Sequence, residues 1–252
     1  MHVLSGLKNA LTFLTIIPAG MDEDGIIQAA NYMPSFPVVG ALIGLAAGAL
    51  VWSLQTFLPS LIAGMLGLGF ILLLTGAHHA DGLLDFGDAM MVLGSPEEKM
   101  RVMRDYQTGA GGLCLGLVVL SATAFSIAAV DRSIVIQSLV ASETSSKFAM
   151  VVQAWAGKSA RRGLNTPFIE AMHGKLRSTR LAVAFFLTLA LSLAALRVSG
   201  LVVILAGLLV AAIILMISKH ELGGLTGDAM GATNELVRLA SLLVVLVIPK
   251  WL

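Results

Sequence analysis

The sequence predicts an all-α, polytopic integral membrane bundle of about six to eight transmembrane helices, one transmembrane domain over residues 1–252. Three observations carry this. Only 12% of the residues are charged, 57% are hydrophobic and the mean hydropathy is +0.91, whereas soluble domains run near a quarter charged. The apolar residues gather in stretches at 3–18, 36–58, 60–79, 111–130, 134–156, 181–197, 200–217 and 236–249, each near the length a bilayer requires. The connections between them alternate between tight and long.

Taken in order, 3–18 has an apolar run from Leu11 to Ile17 behind Lys8, as a secretory leader would. Pro18-Ala19-Gly20-Met21 is a poor cleavage site, so the segment is expected to be retained. It and 236–249 are short and end near Pro18 and Pro249, so a full span, a half-span and an interfacial helix all stay open for each. Asp22-Glu23-Asp24 reads as a solvated loop. In 36–58, Gly40, Gly44 and Gly48 recur every four residues and allow close helix contact, within the fold or between two copies. A homodimer is expected only by analogy with related membrane phosphotransferases. Cys114, the single cysteine, excludes a disulfide framework and a cysteine metal cage and reads as a small core residue.

Pro59-Ser60, Asp131-Arg132-Ser133 and Arg197-Val198-Ser199 are tight turns, while 19–35, 80–110, 157–180 and 218–235 are long and polar. Helices passing back and forth place all the long connections on one face. That face holds Lys99, Arg101, Arg104, Lys158, Arg161, Arg162, Lys175, Arg177, Arg180 and Lys219. The positive-inside rule makes it cytoplasmic, in a multi-pass cell-membrane protein. The formal net charge of +1 gives no support to nucleic-acid binding. No long internal repeat is evident, so the inverted-repeat signature of many transporters is missing.

The long connections also hold the unusual polar sequences. In Thr75-Gly76-Ala77-His78-His79-Ala80-Asp81-Gly82-Leu83-Leu84-Asp85-Phe86-Gly87-Asp88, the three aspartates fall on one stripe if the helix continues, with His78 on the same side and His79 pointing away. Like charges a few ångströms apart cost on the order of several kcal/mol at an effective dielectric near 20. With no Lys or Arg between Val51 and Lys99, a divalent cation is expected, and oxygen ligands suit Mg²⁺, with Mn²⁺ next, over zinc. The competing reading is the solvated end of a helix.

Met103-Arg104-Asp105-Tyr106-Gln107-Thr108-Gly109-Ala110-Gly111-Gly112 sets glycines before a helix, where backbone N–H groups can face an anion; a flexible re-entry turn fits equally well. Arg104 is a natural phosphate contact or a partner for Asp105. In the third segment Glu221, Asp228 and Glu235 are seven apart, but Gly223-Gly224 makes helical continuity doubtful before Thr226. Arg238 can neutralise Glu235 at i, i+3. The basic loop from Lys158 to Arg180 suits either anionic-lipid contact or a large anionic substrate.

Together these segments resemble the cobalamin synthase family, adenosylcobinamide-GDP ribazoletransferase, with its T-G-G-x-H-x-D-G-x-x-D-x-x-D-G, M-R-D-S-R-x-G-x-x-G and G-G-x-T-G-D-x-x-G-A-x-x-E motifs. Thr75, Gly76, His79, Asp81, Gly82, Asp85 and Asp88 match the first. Met103, Arg104, Asp105, Gly109 and Gly112 match the second, and Gly223, Gly224, Thr226, Gly227, Asp228, Gly231, Ala232 and Glu235 the third. Phe36-Pro37-Val38-Val39-Gly40 looks like the family's early F-P-x-x-G. Ala77 and Ala89 stand where glycines are usual, Tyr106-Gln107 replaces Ser-Arg, and Ser146-Lys147 replaces a Ser-Arg pair, keeping charge but losing bidentate geometry.

The resemblance implies joining of adenosylcobinamide-GDP to α-ribazole or its 5′-phosphate with release of GMP. It implies Mg²⁺ on Asp81, Asp85 and Asp88, with Asp228 completing the shell, and His79 and Asp105 as competing general bases. Arg104, the backbone of Gly109 and Gly112, Lys147, Thr226, Gly227 and Glu235 are the expected substrate contacts.

A CDP-alcohol phosphotransferase shares the logic of an Asp-rich membrane helix. Its D-x-x-D-G-x-x-A-R pattern fails here, because His78 replaces the first Asp and Asp85-Phe86 replaces Ala-Arg. A cation-coupled transporter would set its carboxylates near mid-membrane on broken helices, whereas these follow a full apolar stretch.

Overall fold

A computed structural model describes residues 2–18 and 24–248. Ala19, Gly20 and Met21 of the cleavage-site reading, Asp22 and Glu23 of the acidic loop, and Pro249 lie outside the described residues. The described chain folds into α1 (His2–Leu14), α2 (Gly25–Asn31), α3 (Phe36–Leu54), α4 (Ser60–Leu74), α5 (His78–Met91), α6 (Pro96–Val102) and α7 (Ala110–Ala129). These are followed by α8 (Val135–Ala156), α9 (Thr166–His173), α10 (Arg177–Leu196), α11 (Ser199–Glu221) and α12 (Gly227–Val247). Apart from one isolated bridge between Ser159 and Leu225, the described residues form no β-structure.

By length and composition five helical stretches can cross a membrane: Met33–Leu54, α7, α10, α11 and α12; the α4–α5 pair makes a sixth if its two bent halves count as one span. All-α, multi-pass architecture follows. The 22-residue α8 is not among them, because Glu143 and Lys147 interrupt its apolar run, yet it is almost wholly buried among α3, α10, α11 and α12. At 13 residues α1 extends only about 20 Å, short of a hydrocarbon core of about 30 Å. The chain leaving it is tied to the end of α4 by the Ile16 N–H donating to the Leu74 carbonyl at 2.8 Å. At the other terminus, α12 starts well before the apolar stretch at 236. Thr226 caps it, its Oγ1 accepting from the Ala229 N–H at 3.0 Å.

The long connections meet at one end of the bundle. Arg180 donates to Asn31 Oδ1 at 2.7 Å, the Ala160 N–H donates to the Leu225 carbonyl at 3.0 Å, and Lys99 pairs with Glu221. Asp131, Ser133, Arg197 and Ser199, from two tight turns, line a separate cavity together with Leu246 and Ile248 at the end of α12.

Two sequence expectations change. Gly40, Gly44 and Gly48 pack on α8 of the same chain; a Cβ on Gly48 would stand 2.7 Å from Ile136 Cα. The stripe therefore serves internal packing and offers no face to a second copy. Cys114 is exposed on the outer side of α7 rather than in the core, beside the outward-facing Leu113, Leu117 and Val118. An apolar run in a bilayer does not tell its lipid side from its packed side.

The apolar stretch at 60–79 is broken at Leu74, where α5 turns 95° from α4. Gly76 (φ 61°) and Ala77 (φ 55°) make this corner in the left-handed region, and only Gly76 is suited to it. Ala77→Gly should therefore raise stability, by up to about 1 kcal/mol once the extra backbone entropy of glycine is deducted. A higher midpoint of thermal unfolding in detergent is the expected reading; a lower one would contradict the strain.

Candidate active site

The corner lays α5 across the starts of α7 and α12 rather than along them. Two close approaches fix the crossing. A Cβ on Gly82 would stand 2.9 Å from Asp228 Cα, and one on Gly87 would stand 3.0 Å from Gly112 Cα. Here α5 is helical throughout, so Asp81, Asp85 and Asp88 do share a stripe, and Asp228, in the first turn of α12, faces them. Asp81 is exposed, Asp85 and Asp228 are half-buried and Asp88 is buried. Asp81, Asp228 and Asp88 all act electrostatically on Asp85. Four carboxylates thus lie within electrostatic range of one another with no cation of the chain among those influences. Among the described residues no three His, Cys, Asp or Glu side chains form a ready cation cage. The donor chemistry nonetheless fits a hard divalent ion, since each donor is a carboxylate oxygen and each is repelled by the others.

Asp88 has a second attachment. Both its oxygens are held at 2.7 Å, by the N–H groups of Gly109 and Gly112. The glycine turn at the start of α7 does bind an anion, but here the anion is the chain's own carboxylate, so these two N–H groups are not open to phosphate as expected. The negative charge also suits the positive end of α7.

His79 is buried on the α12 side, its backbone against Gly231 and its Nδ1 without a hydrogen-bond partner. Thr226 is buried as the α12 cap, while a Cβ on Gly227 would meet open space.

A cavity of about 510 Å³ is lined by Arg101, Arg104, Asp105 and Arg161, with Glu97 and an apolar wall that includes Met100 and Leu222. Arg104 and Asp105, the expected phosphate contact and candidate base, both open onto it. Asp105 also accepts from the Gln107 N–H at 3.1 Å, which shapes the loop.

Lys147 and Glu235 are elsewhere. Both are fully buried between α8 and α12 in a network the sequence reading only half anticipated: Lys147 Nζ donates to Glu143 at 2.7 Å, and Arg238 joins Glu143 to Glu235. The Glu235–Arg238 pair is the i, i+3 neutralisation expected. Glu143 was missed, although a carboxylate four residues before a lysine in a buried apolar helix is a recognisable signal. Glu221 is separated from Asp228 by the turn at Gly223-Gly224 and pairs with Lys99.

The family model for cobalamin-5-phosphate synthase matches residues 6–246. The chain belongs to this family. Among curated relatives named adenosylcobinamide-GDP ribazoletransferase, that of Methanocella arvoryzae is 34% identical, covering 96% of this chain and 95% of the relative. That of Halorubrum lacusprofundi is 36% identical over 95% and 96%, and that of Thermococcus kodakarensis 34% over 97% and 99%. No solved structure matches. The fold brings Gly82, Asp85 and Asp88 together with Gly109, Gly112 and Asp228 at the α5 crossing.

Proposed function

We propose that this chain is the transferase that completes cobalamin assembly, joining adenosylcobinamide-GDP to α-ribazole or its 5′-phosphate and releasing GMP. The observation that carries the reading is the α5 crossing. It sets the acidic stripe of the first motif against Asp228 of the third and Gly109 and Gly112 of the second, in a chain matched by the family over nearly its full length.

In the reaction a ribose hydroxyl of the acceptor attacks the cobinamide-side phosphorus. The new P–O bond forms as the bond to GMP breaks, and the hydroxyl proton passes to a base. Bound Mg²⁺, or Mn²⁺, on Asp81, Asp85, Asp88 and Asp228 would offset diphosphate charge and the charge developing on the leaving GMP. Arg104 supplies a planar pair of donors to phosphate oxygens. Of the two candidate bases, Asp105 borders the open cavity and takes the proton in this reading, while His79, enclosed, holds α5 against α12. The cavity is too small for a corrinoid, which would rest on the open face.

The arginine and lysine bias supports a cytoplasmic site in a cell-membrane protein. Labelling of a cysteine placed at exposed Leu164, blocked in intact cells and allowed after lysis, would support that side.

Purified protein in liposomes should release GMP from adenosylcobinamide-GDP when given α-ribazole and Mg²⁺. Failure with every divalent metal tried would overturn the reading, and metal-gated solute uptake would favour a transporter instead.

A further inference from the structure

We infer that Arg101 and Arg161, with Arg104, form the pocket for the nucleoside diphosphate end of the substrate. The inference rests on the proposed function and extends it to two residues outside the three motifs. The three guanidiniums come from separate places: Arg101 from α6, Arg104 from the loop that follows it, and Arg161 from the connection after α8. All three line one cavity, and among the described residues none donates a hydrogen bond to the protein or pairs with a carboxylate within 4 Å. Arg101 only influences Glu98 at a distance.

Four other arginines are used by the fold: Arg132 donates to the Trp52 carbonyl, Arg177 to the Trp155 carbonyl, Arg180 to Asn31, and Arg238 to two glutamates; Arg162 and Arg197 do not line this cavity. Three planar forks converging without partners match the oxygens of a diphosphate, which bidentate guanidinium contacts suit.

The walls are tied together as a binding site requires. Leu225 donates to the Lys158 carbonyl at 2.8 Å and accepts from the Ala160 N–H at 3.0 Å and from Asn165 Nδ2 at 2.8 Å. This fixes the backbone next to Arg161 on the turn leading into Asp228. Lys99 ties α6 to Glu221 at the end of α11. The volume, about 510 Å³, falls in the range of small-ligand pockets and suits a nucleotide. Pro96, Met100, Ala160 and Leu222 supply apolar surface for a base.

The same guanidiniums could instead hold the phosphate of an anionic lipid headgroup, and the test separates the two. GDP binding to wild-type protein in detergent is compared with Arg101→Gln, Arg161→Gln and Arg197→Gln, the last removing an equal charge at the other end of the bundle. Binding to vesicles containing phosphatidylglycerol is measured in parallel. The expected result is a roughly tenfold loss of GDP affinity in each of the first two, and the same rise in KM for adenosylcobinamide-GDP. Little change is expected in kcat or in KM for α-ribazole, and none for Arg197→Gln. GDP affinity unchanged in Arg101→Gln and Arg161→Gln, in protein with wild-type melting behaviour, would overturn the pocket, as would a loss confined to vesicle binding. An active wild type with unaffected variants sinks only this inference; an inactive wild type that still binds GDP through these arginines sinks the reaction and leaves the pocket standing.

Discussion

Asp81→Asn and Asp85→Asn should each lower GMP release by on the order of 10³-fold while leaving the protein inserted and folded. Asn keeps the size of the side chain and removes the charge, so what is lost is the capacity to hold a divalent cation against a diphosphate. Stability should move the other way. Asp85 sits among three neighbouring carboxylates that act on it electrostatically, so removing one charge relieves repulsion in the resting protein. A melting midpoint equal to or above wild type, together with the loss of turnover, is the signature of a functional cluster held at the expense of stability. Asp88→Asn should behave differently. Its carboxylate accepts from the N–H groups of Gly109 and Gly112, and an amide offers one acceptor and one donor where two acceptors are needed, at a cost of about 1–3 kcal/mol. Asp105→Asn separates catalysis from metal holding: kcat should fall with the Mg²⁺ dependence unchanged. Near-normal turnover of both Asp81→Asn and Asp85→Asn at saturating Mg²⁺ would remove the metal stripe from the mechanism.

The sequence made the bundle legible because a bilayer leaves hydropathy as the dominant signal, and each of the eight apolar stretches does contain a helix. It was least informative where polar residues enter the membrane. The stretch at 236–249 seemed short because Asp228, Asn234 and Glu235 depress hydropathy, yet they belong to the same helix, with Glu235 neutralised by Arg238. The corner at Gly76-Ala77 was only half signalled, since alanine holds the second left-handed position. At the site, the Asp81–Asp85–Asp88 stripe followed from helical spacing alone. The capping of α7 by Asp88 did not, because it joins residues 21 and 24 positions apart. Nor did the meeting of Arg101, Arg104 and Arg161, which depends on how the loop at 158–165 is tied to Leu225.

Glu143→Gln should be among the most destabilising single substitutions in the chain. Glu143, Lys147, Glu235 and Arg238 are all fully buried between α8 and α12, and together their formal charges cancel. Removing the Glu143 charge leaves two cations facing one carboxylate where neither water nor lipid can solvate them, at a cost of about 3–5 kcal/mol. Lys147 suffers most, because Glu143 is its only hydrogen-bonded partner among the described residues, whereas Arg238 keeps Glu235. The double substitution Glu143→Gln with Lys147→Met restores neutrality and should recover a large part of the loss. Helix packing that depended only on side-chain volume would instead make the two changes additive. Thermal unfolding in detergent of the two single variants and the double variant decides between these, and additivity would show that the network is not a charge-balanced unit. Activity should follow stability with an added effect. The network binds α12 to α8, α12 carries Asp228, and a shift of α12 by 1 Å would misplace Asp228 against Asp81 and Asp85. The double variant is therefore expected to regain its melting midpoint more completely than its turnover.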